Sequence, residues 1–266
     1  MSLYQEEPIS YLTSEMLLDV KVPHAFLMRH GGVSPAPWAT LNVGGGVGDQ
    51  VDRVIENRHR SFRVLGRDLD SIFDVWQVHG NDVVCADAPR VKDMPYMKAD
   101  IILTDTPRVT LFMRFADCVP IMLYDPYRRI IGLVHAGWQG TVNHCVANAI
   151  EAMALKYHCQ PNDILAVIGP SICAKHYEVG GEIIQRVKSE FGDESGDVLF
   201  ERGSGLPTGK ANFDLWRANR LLLERSGVRK IEITGQCTVC HNQDWFSHRA
   251  EKGKTGRFGV LIALGD

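Results

Sequence analysis

Two apolar runs, Val119–Tyr124 and Ile130–Val134, flank a charged turn built around Asp125, Pro126, Arg128 and Arg129. Runs this short, closed by turn-forming residues, read as buried strands. Cys118 stands just before the first run and His135 directly after the second, beside Ala116, Ala136 and Gly137. Residues that small allow close backbone approach. A chain that places a thiol and an imidazole at the ends of buried strands is set up for chemistry at a sheet rim.

The 266 residues suffice for one large domain or two small ones. Hydrophobic residues make up 45% and charged residues 23%, the balance of an ordinary globular chain. A net charge of -3 and a pI near 6.4 leave no electrostatic footprint for nucleic acid or an anionic membrane. No apolar run approaches the roughly 20 residues needed to cross a bilayer. The start, MSLYQEEPIS, lacks the basic-then-apolar order of a secretory signal. Seven cysteines without framework spacing fit reduced thiols, so a cytoplasmic protein is expected.

Helical periodicity appears in four places. Over 49–66, Val51, Val54, Ile55, Arg58, Phe62 and Leu65 share a face, with Asp49 placed to cap the start and Gly66 the end. Thr141 is placed to cap a second helix carrying Val142, Cys145, Val146, Ala149, Ile150 and Met153. Two more are predicted near 182–191 and 213–226, the last stopped by Gly227. Strands are predicted over 22–28, 72–78, 101–104, 109–115, 119–124, 130–134, 164–168, 231–234 and 258–264. Strands outnumber helices without alternating strictly with them, which predicts a mixed-sheet α/β domain rather than a doubly wound one. The Gly- and Ser-rich piece 193–210 reads as a surface loop, so a single catalytic domain over 1–266 is expected.

Several short strings do not carry a motif. The glycines of NVGGGVGDQ, at 44, 45, 46 and 48, do not space as G-x-G-x-x-G. GSGLPTGKA has Ser204 and Ala211 where a P-loop needs Gly and Ser or Thr. CTVC at 237–240 is a lone C-x-x-C with no second pair. LMRHGG at 27–32 resembles the Arg-His-Gly of histidine phosphatases, but no second matching arm accompanies His30. His24, His59, His144, His158 and His176 read as surface or packed residues.

A third segment shares the character of the first two. In IFDVWQVHGND, His79 closes an apolar run and precedes Gly80. His79, Cys118 and His135 are 39 and 17 residues apart, too far for a zinc finger, and meet only if their strands lie side by side. Each alone reads more readily as a packed cysteine or a hydrogen-bonded histidine. Three at equivalent positions point to a metal centre, because two imidazoles and a thiolate suit zinc and leave a fourth position for water or substrate. Zinc there would bring the pKa of its water to about 7. Asp117 is placed to orient a histidine ligand through its second nitrogen. Gln77, Trp138 and the helix start at Gly140 and Thr141 are expected on the same rim, where free amides hold an anion.

These residues sit in a wider set of strings: MRHGGVS (28–34), TLNVGGGVGD (40–49), ENR (56–58), WQVHG (76–80), KADIILTD (98–105), ADCVPI (116–121), HAGWQGT (135–141), IGPSI (168–172), CT (237–238), FSHR (246–249) and TGR (255–257). Together they resemble the YfiH-like family, labelled polyphenol oxidases or laccases and also described as purine nucleoside phosphorylases and peptidoglycan editing factors. The resemblance implies a layered α/β/β/α domain with His79, Cys118 and His135 as metal ligands, zinc first and copper second. It also implies phosphorolysis of adenosine, inosine and methylthioadenosine to free base and ribose 1-phosphate, with adenosine deamination at the same site. The partners implied are a purine nucleoside and phosphate, with neither nucleic acid nor membrane. Arg58 is the candidate phosphate clamp, since a guanidinium fork matches phosphate. Asn42 and Asp117 are candidates for substrate hydroxyls.

The chain departs from the family where WFSHRAEKGK carries His248 in place of an aromatic residue and Ala250 in place of an arginine. Cys240 and His241 also look particular to it. Multicopper chemistry would need H-x-H pairs, and none occurs. Two further readings stand beside the phosphorylase. One is an amidase-type hydrolase editing peptidoglycan precursors, with Cys118 as nucleophile and His135 or His79 as base. The other is a non-catalytic metal-binding protein.

Overall fold

In the computed structural model, which describes residues 2–6, 8–200 and 209–265, two six-stranded sheets form the middle of the molecule. The first runs β1 (Ser2–Glu6), β2 (Ile9–Thr13), β3 (His24–Leu27), β15 (Phe258–Ala263), β7 (Thr110–Phe115) and β4 (Ile72–Phe73). Its pairings are antiparallel except β4 with β7. The second runs β14 (Lys230–Ile233), β10 (Leu165–Ile168), β8 (Val119–Asp125), β9 (Ile130–Ala136), β6 (Ile101–Thr104) and β5 (Val83–Cys85). It is antiparallel in the middle and parallel at both edges. A small third sheet orders β11 (Glu178–Val179), β13 (Ala211–Phe213) and β12 (Leu199–Phe200).

Burial on both faces explains why β8 and β9 read as unbroken apolar runs. Met122, Tyr124, Ile131 and Leu133 pack towards the first sheet, against Phe26, Leu111, Met113, Phe258 and Val260. Val119, Ile121, Leu123, Ile130 and Val134 alternate to the other side, beneath α4 (Cys145–Tyr157), α5 (Gly181–Phe191) and α7 (Leu215–Arg225). On the far face of the first sheet, Phe62 of α2 (Val51–Arg63) packs on Phe112. The layers are therefore α/β/β/α with mixed sheets, as expected. The short helices are α1 (Glu15–Asp19), capped by Ser14, α3 (Trp138–Val142) directly after β9, and α6 (Ser195–Val198). No helix among the described residues is long and apolar enough to cross a membrane.

Several local expectations are corrected. The run 72–78 is a strand only over Ile72–Phe73; beyond it, Trp76 bridges Lys98 and the chain turns at His79, whose φ is 62°. The buried side of α2 is Val54, Asn57, Ser61 and Phe62, while Val51 and Ile55 are exposed. Asn57 faces inward because it bonds the loop ahead of the helix, accepting from Val33 N and donating to Ser34 Oγ and Asn42 O. Asp49 does not cap α2; its carboxylate accepts from Ser34 Oγ and Asn42 Nδ2. Thr141 lies inside α3, its Oγ1 accepting from Asn219 of α7, and α4 starts instead from His144 at a φ of 63°. The segment read as a surface loop contains α6 and β12; positions 201–208, with most of GSGLPTGKA, lie outside the described residues.

The inter-sheet core should dominate stability. Phe258 is buried, 5.8 Å from the Phe115 ring and 5.1 Å from Trp245. Phe258→Ala is expected to lower the unfolding free energy by about 3–5 kcal/mol, whereas Tyr127→Ala, on the exposed turn after β8, should change it by about 0.5 kcal/mol or less. Urea denaturation of both variants checks the contrast.

Candidate active site

The β8–β9 pairing creates the site. Pro120 lies opposite His135, so the residue entering β8 and the imidazole near the end of β9 share one rim. Cys118 packs towards the inter-sheet core and His135 contacts the Phe115 ring at 5.4 Å. His79 arrives from the turn after β4, its ring centroid 4.9 Å from that of His135. Ligating atoms of His79, Cys118 and His135 all lie within 4.8 Å of one another. Gly137 makes room for this convergence: a Cβ there would stand 3.0 Å from Cys118 Sγ and 3.1 Å from His79 Cδ2. The three residues do not occupy equivalent strand exits; one enters a strand, one lies within a strand and one sits on a turn.

Asp100, immediately before β6, organises the group. Its buried carboxylate lies 2.7 Å from His135 Nδ1 and accepts from the amides of Val78, His79 and Gly80 at 3.1, 3.0 and 2.7 Å. With Nδ1 so engaged, Nε2 of His135 is free to act as a ligand. Burial favours a protonated Asp100, but the bonds and charge from His135 and the turn amides outweigh it, so its pKa is lowered. This is the orienting role that sequence assigned to Asp117. Asp117 instead accepts from Thr238 Oγ1, Ser247 Oγ and Arg249 N, tying three late segments to the rim. The KADIILTD string contains Asp100, but spacing alone did not distinguish it.

In the metal-free protein, burial raises the Cys118 thiol, yet the imidazoles of His135 and His79 more than reverse this and bring it down to about 6. His135 moves oppositely: burial disfavours its charge, while Cys118 and Asp100 raise it to about 9. A thiolate beside an imidazolium results. Two imidazoles and one thiolate, gathered in this way, fit a single zinc or copper ion with one position left open.

The trio borders a cavity of ≈ 810 Å³. Arg58, Gln77 and Asp117 line it; so do Trp76, Tyr96, Tyr177 and the arginines 114, 249 and 257, which sequence reasoning left unnamed. Asp74, fully buried, is shared by Arg58 (3.7 Å), Arg90 (2.7 Å) and Arg114 (3.1 Å), so one carboxylate faces three guanidinium groups and the cluster stays net positive. Gln77 bridges both ends of Arg114, donating to its carbonyl and accepting from its amide. Asn42 does not line the cavity: its side chain donates to Gly44 O and Asp49 and accepts from the Gly44 and Arg257 amides. Trp138 lines a smaller hollow of ≈ 200 Å³ behind His79 and Cys118. α3 starts at Trp138, two residues earlier than expected, and the Thr141 amide is already paired with Gly137 O at 2.9 Å.

Residues 23–265 match the family described as multi-copper polyphenol oxidoreductase laccase. The chain belongs to that family. Among relatives of this laccase-domain protein, the purine nucleoside phosphorylase of Deinococcus radiodurans is 37% identical over 246 residues, 92% of this chain and 90% of that one. Purine nucleoside phosphorylase YlmD of Bacillus subtilis is 34% identical, over 90% of this chain and 87% of that one. The crystal structure of Bacillus licheniformis hypothetical protein YfiH superposes with a TM-score of 0.91 at 31% identity, covering 99% of both chains. That of YlmD from Geobacillus stearothermophilus gives 0.87 at 30% identity, also over 99% of both. The laccase-domain chain thus has the single-domain mixed α/β fold of these structures.

Metal-stripped protein should be alkylated at Cys118 by iodoacetamide at a rate that climbs as pH rises through about 6 and then levels, because the thiolate is the reacting form. Zinc added first should suppress the reaction. Peptide mass mapping across a pH series checks both; a midpoint near the ordinary thiol value would contradict the ion pair.

Proposed function

We propose that this chain is a purine nucleoside phosphorylase with one zinc held by His79, Cys118 and His135. The observation that carries the reading is that the trio opens into a cavity walled by aromatic faces and arginines. Its size falls in the usual range for small-molecule sites, about 300–1,000 Å³. The names of the relatives support the substrate class, a purine nucleoside with phosphate as co-substrate; within it we propose adenosine, inosine and methylthioadenosine, as the resemblance implies.

In this reading a purine lies against Trp76 and Tyr96, whose rings are 6.5 Å apart and line the outer cavity. Arg257 holds the phosphate. It makes no ion pair with a carboxylate among the described residues, unlike Arg58 and Arg114, which share the Asp74 carboxylate. Arg58, with Nε donating to Val43 O, then shapes the wall more than it clamps the anion. Phosphorolysis forms a bond from a phosphate oxygen to ribose C1′ as the C1′–N9 bond breaks; the base leaves with the electron pair and takes up a proton. Deamination adds water at C6 of adenine and expels ammonia, the companion activity of the same site. Bound zinc supplies a Lewis acid that brings water near ionisation at neutral pH. Asp100 keeps His135 in the tautomer that presents Nε2 to the cavity.

One observation favours a second reading. Without metal, Cys118, His135 and Asp100 form a thiolate–imidazolium–carboxylate series, the arrangement of a cysteine hydrolase such as a peptidoglycan-editing amidase. That enzyme would work in chelator and lose activity on zinc loading.

Chromatography of adenosine and inosine incubated with zinc-loaded enzyme decides. Free base released only with phosphate present is expected, together with inosine from adenosine without phosphate. His135→Ala should abolish both activities, and Arg257→Lys should raise the KM for phosphate about tenfold or more while leaving that for adenosine nearly unchanged. Loaded enzyme that yields neither base nor inosine would sink the proposal.

A further inference from the structure

A second soft-ligand cluster lies on the other side of Asp117. The segment after β10 and the turn after β14 run together: Ser171 bridges Cys237, Ser171 N donates to Gln236 O at 3.1 Å, and Thr238 N donates to Ser171 O at 3.2 Å. This pairing brings Cys173, 64 residues away in sequence, to the C-x-x-C of Cys237 and Cys240. The three sulfurs lie within 4.8 Å of one another. A zinc ion bonded to three thiolates at about 2.3 Å needs them about 3.8 Å apart, a spacing inside that limit.

A second, independent feature marks the cluster as ligand-binding. Backbone amides of Cys173 and Cys240 point at Cys237 Sγ, at 3.3 and 3.5 Å. Amides aimed at sulfur stabilise a thiolate, as neighbouring hydrogen bonds do for metal-bound sulfur. Burial opposes ionisation of Cys237, but these amides and that of Val239 outweigh it, so its pKa is lowered. Cys173 goes the other way, pushed up to about 12 by burial and by its neighbour Cys237. A cation held by the three sulfurs would lie against the one that the two amides already face. Cys237 is buried, whereas Cys240 is exposed, leaving an entry path and an open fourth position for solvent.

We propose that Cys173, Cys237 and Cys240 bind a thiophilic d¹⁰ cation, zinc, at a site separate from the His79–Cys118–His135 group. The ion clasps the 171–173 and 237–240 segments. Both also hold Asp117: Ile172 N donates to its carbonyl at 3.0 Å and Thr238 Oγ1 to its carboxylate at 2.6 Å. Occupancy therefore braces one wall of the cavity without touching its contents.

Cobalt(II) titration of the reduced, metal-stripped full chain tests this, because thiolate-to-cobalt absorption counts sulfurs. Wild type should take up about two ions per chain. His135→Ala should keep about one, with roughly three times the charge-transfer intensity per ion of the one retained by Cys173→Ser/Cys240→Ser. Cys240→Ser alone, altered at an exposed position, should lose the intense band while keeping the one-sulfur ion. The proposal fails if wild type binds only a one-sulfur ion, or if Cys240→Ser matches wild type in stoichiometry and spectrum. It fails equally if thiol counting finds two of the three in a disulfide and reduction restores no second ion.

Discussion

The carboxylate of Asp100 is the interaction on which the site depends. Buried immediately before β6, it holds one nitrogen of His135 and three consecutive amides of the His79 turn. A buried carboxylate with fewer partners would be costly, so the turn and the imidazole stabilise it as much as it positions them. That mutual satisfaction brings a loop histidine and a strand histidine to a common point beside Cys118. The left-handed backbone of His79 is tolerated because three amide bonds fix the turn.

Charge is arranged around the cavity with the same economy of partners. One fully buried Asp74 serves Arg58, Arg90 and Arg114, which holds two arginines in place along the cavity and leaves that wall net positive. Arg257 lacks such a partner and is buried enough that its pKa is lowered, which leaves it disposed to receive an anion. Asp117 faces both the cavity and the late segments, linking the rim to the loops that carry His248, Arg249 and the cysteine cluster.

The contrast between Asp117 and Asp100 explains how far sequence reading reached. Asp117 stands beside Cys118 in the chain, so adjacency suggested it as the orienting group. Asp100 is 35 residues from His135, and the two meet because β6 pairs with β9. Arg257 and Arg249 stay hidden in the sequence for a similar reason: nothing in TGR or FSHR tells which way a guanidinium points. On α2, polar Asn57 turned out to be the inward residue because its amide has loop partners that a hydrophobic stripe cannot reveal.

Sequence by itself determined the elements whose burial is strong: the apolar runs of β6, β8, β9 and β15, the helix Val51–Arg63, and the layered mixed-sheet class. It also singled out His79, Cys118 and His135, since residue type and flanking small residues are local properties. Tertiary structure alone decided which carboxylate supports them, which arginines face the cavity, and that Cys173 joins the C-x-x-C. Those outcomes follow from strand order and register, which bring together residues that spacing along the chain keeps apart.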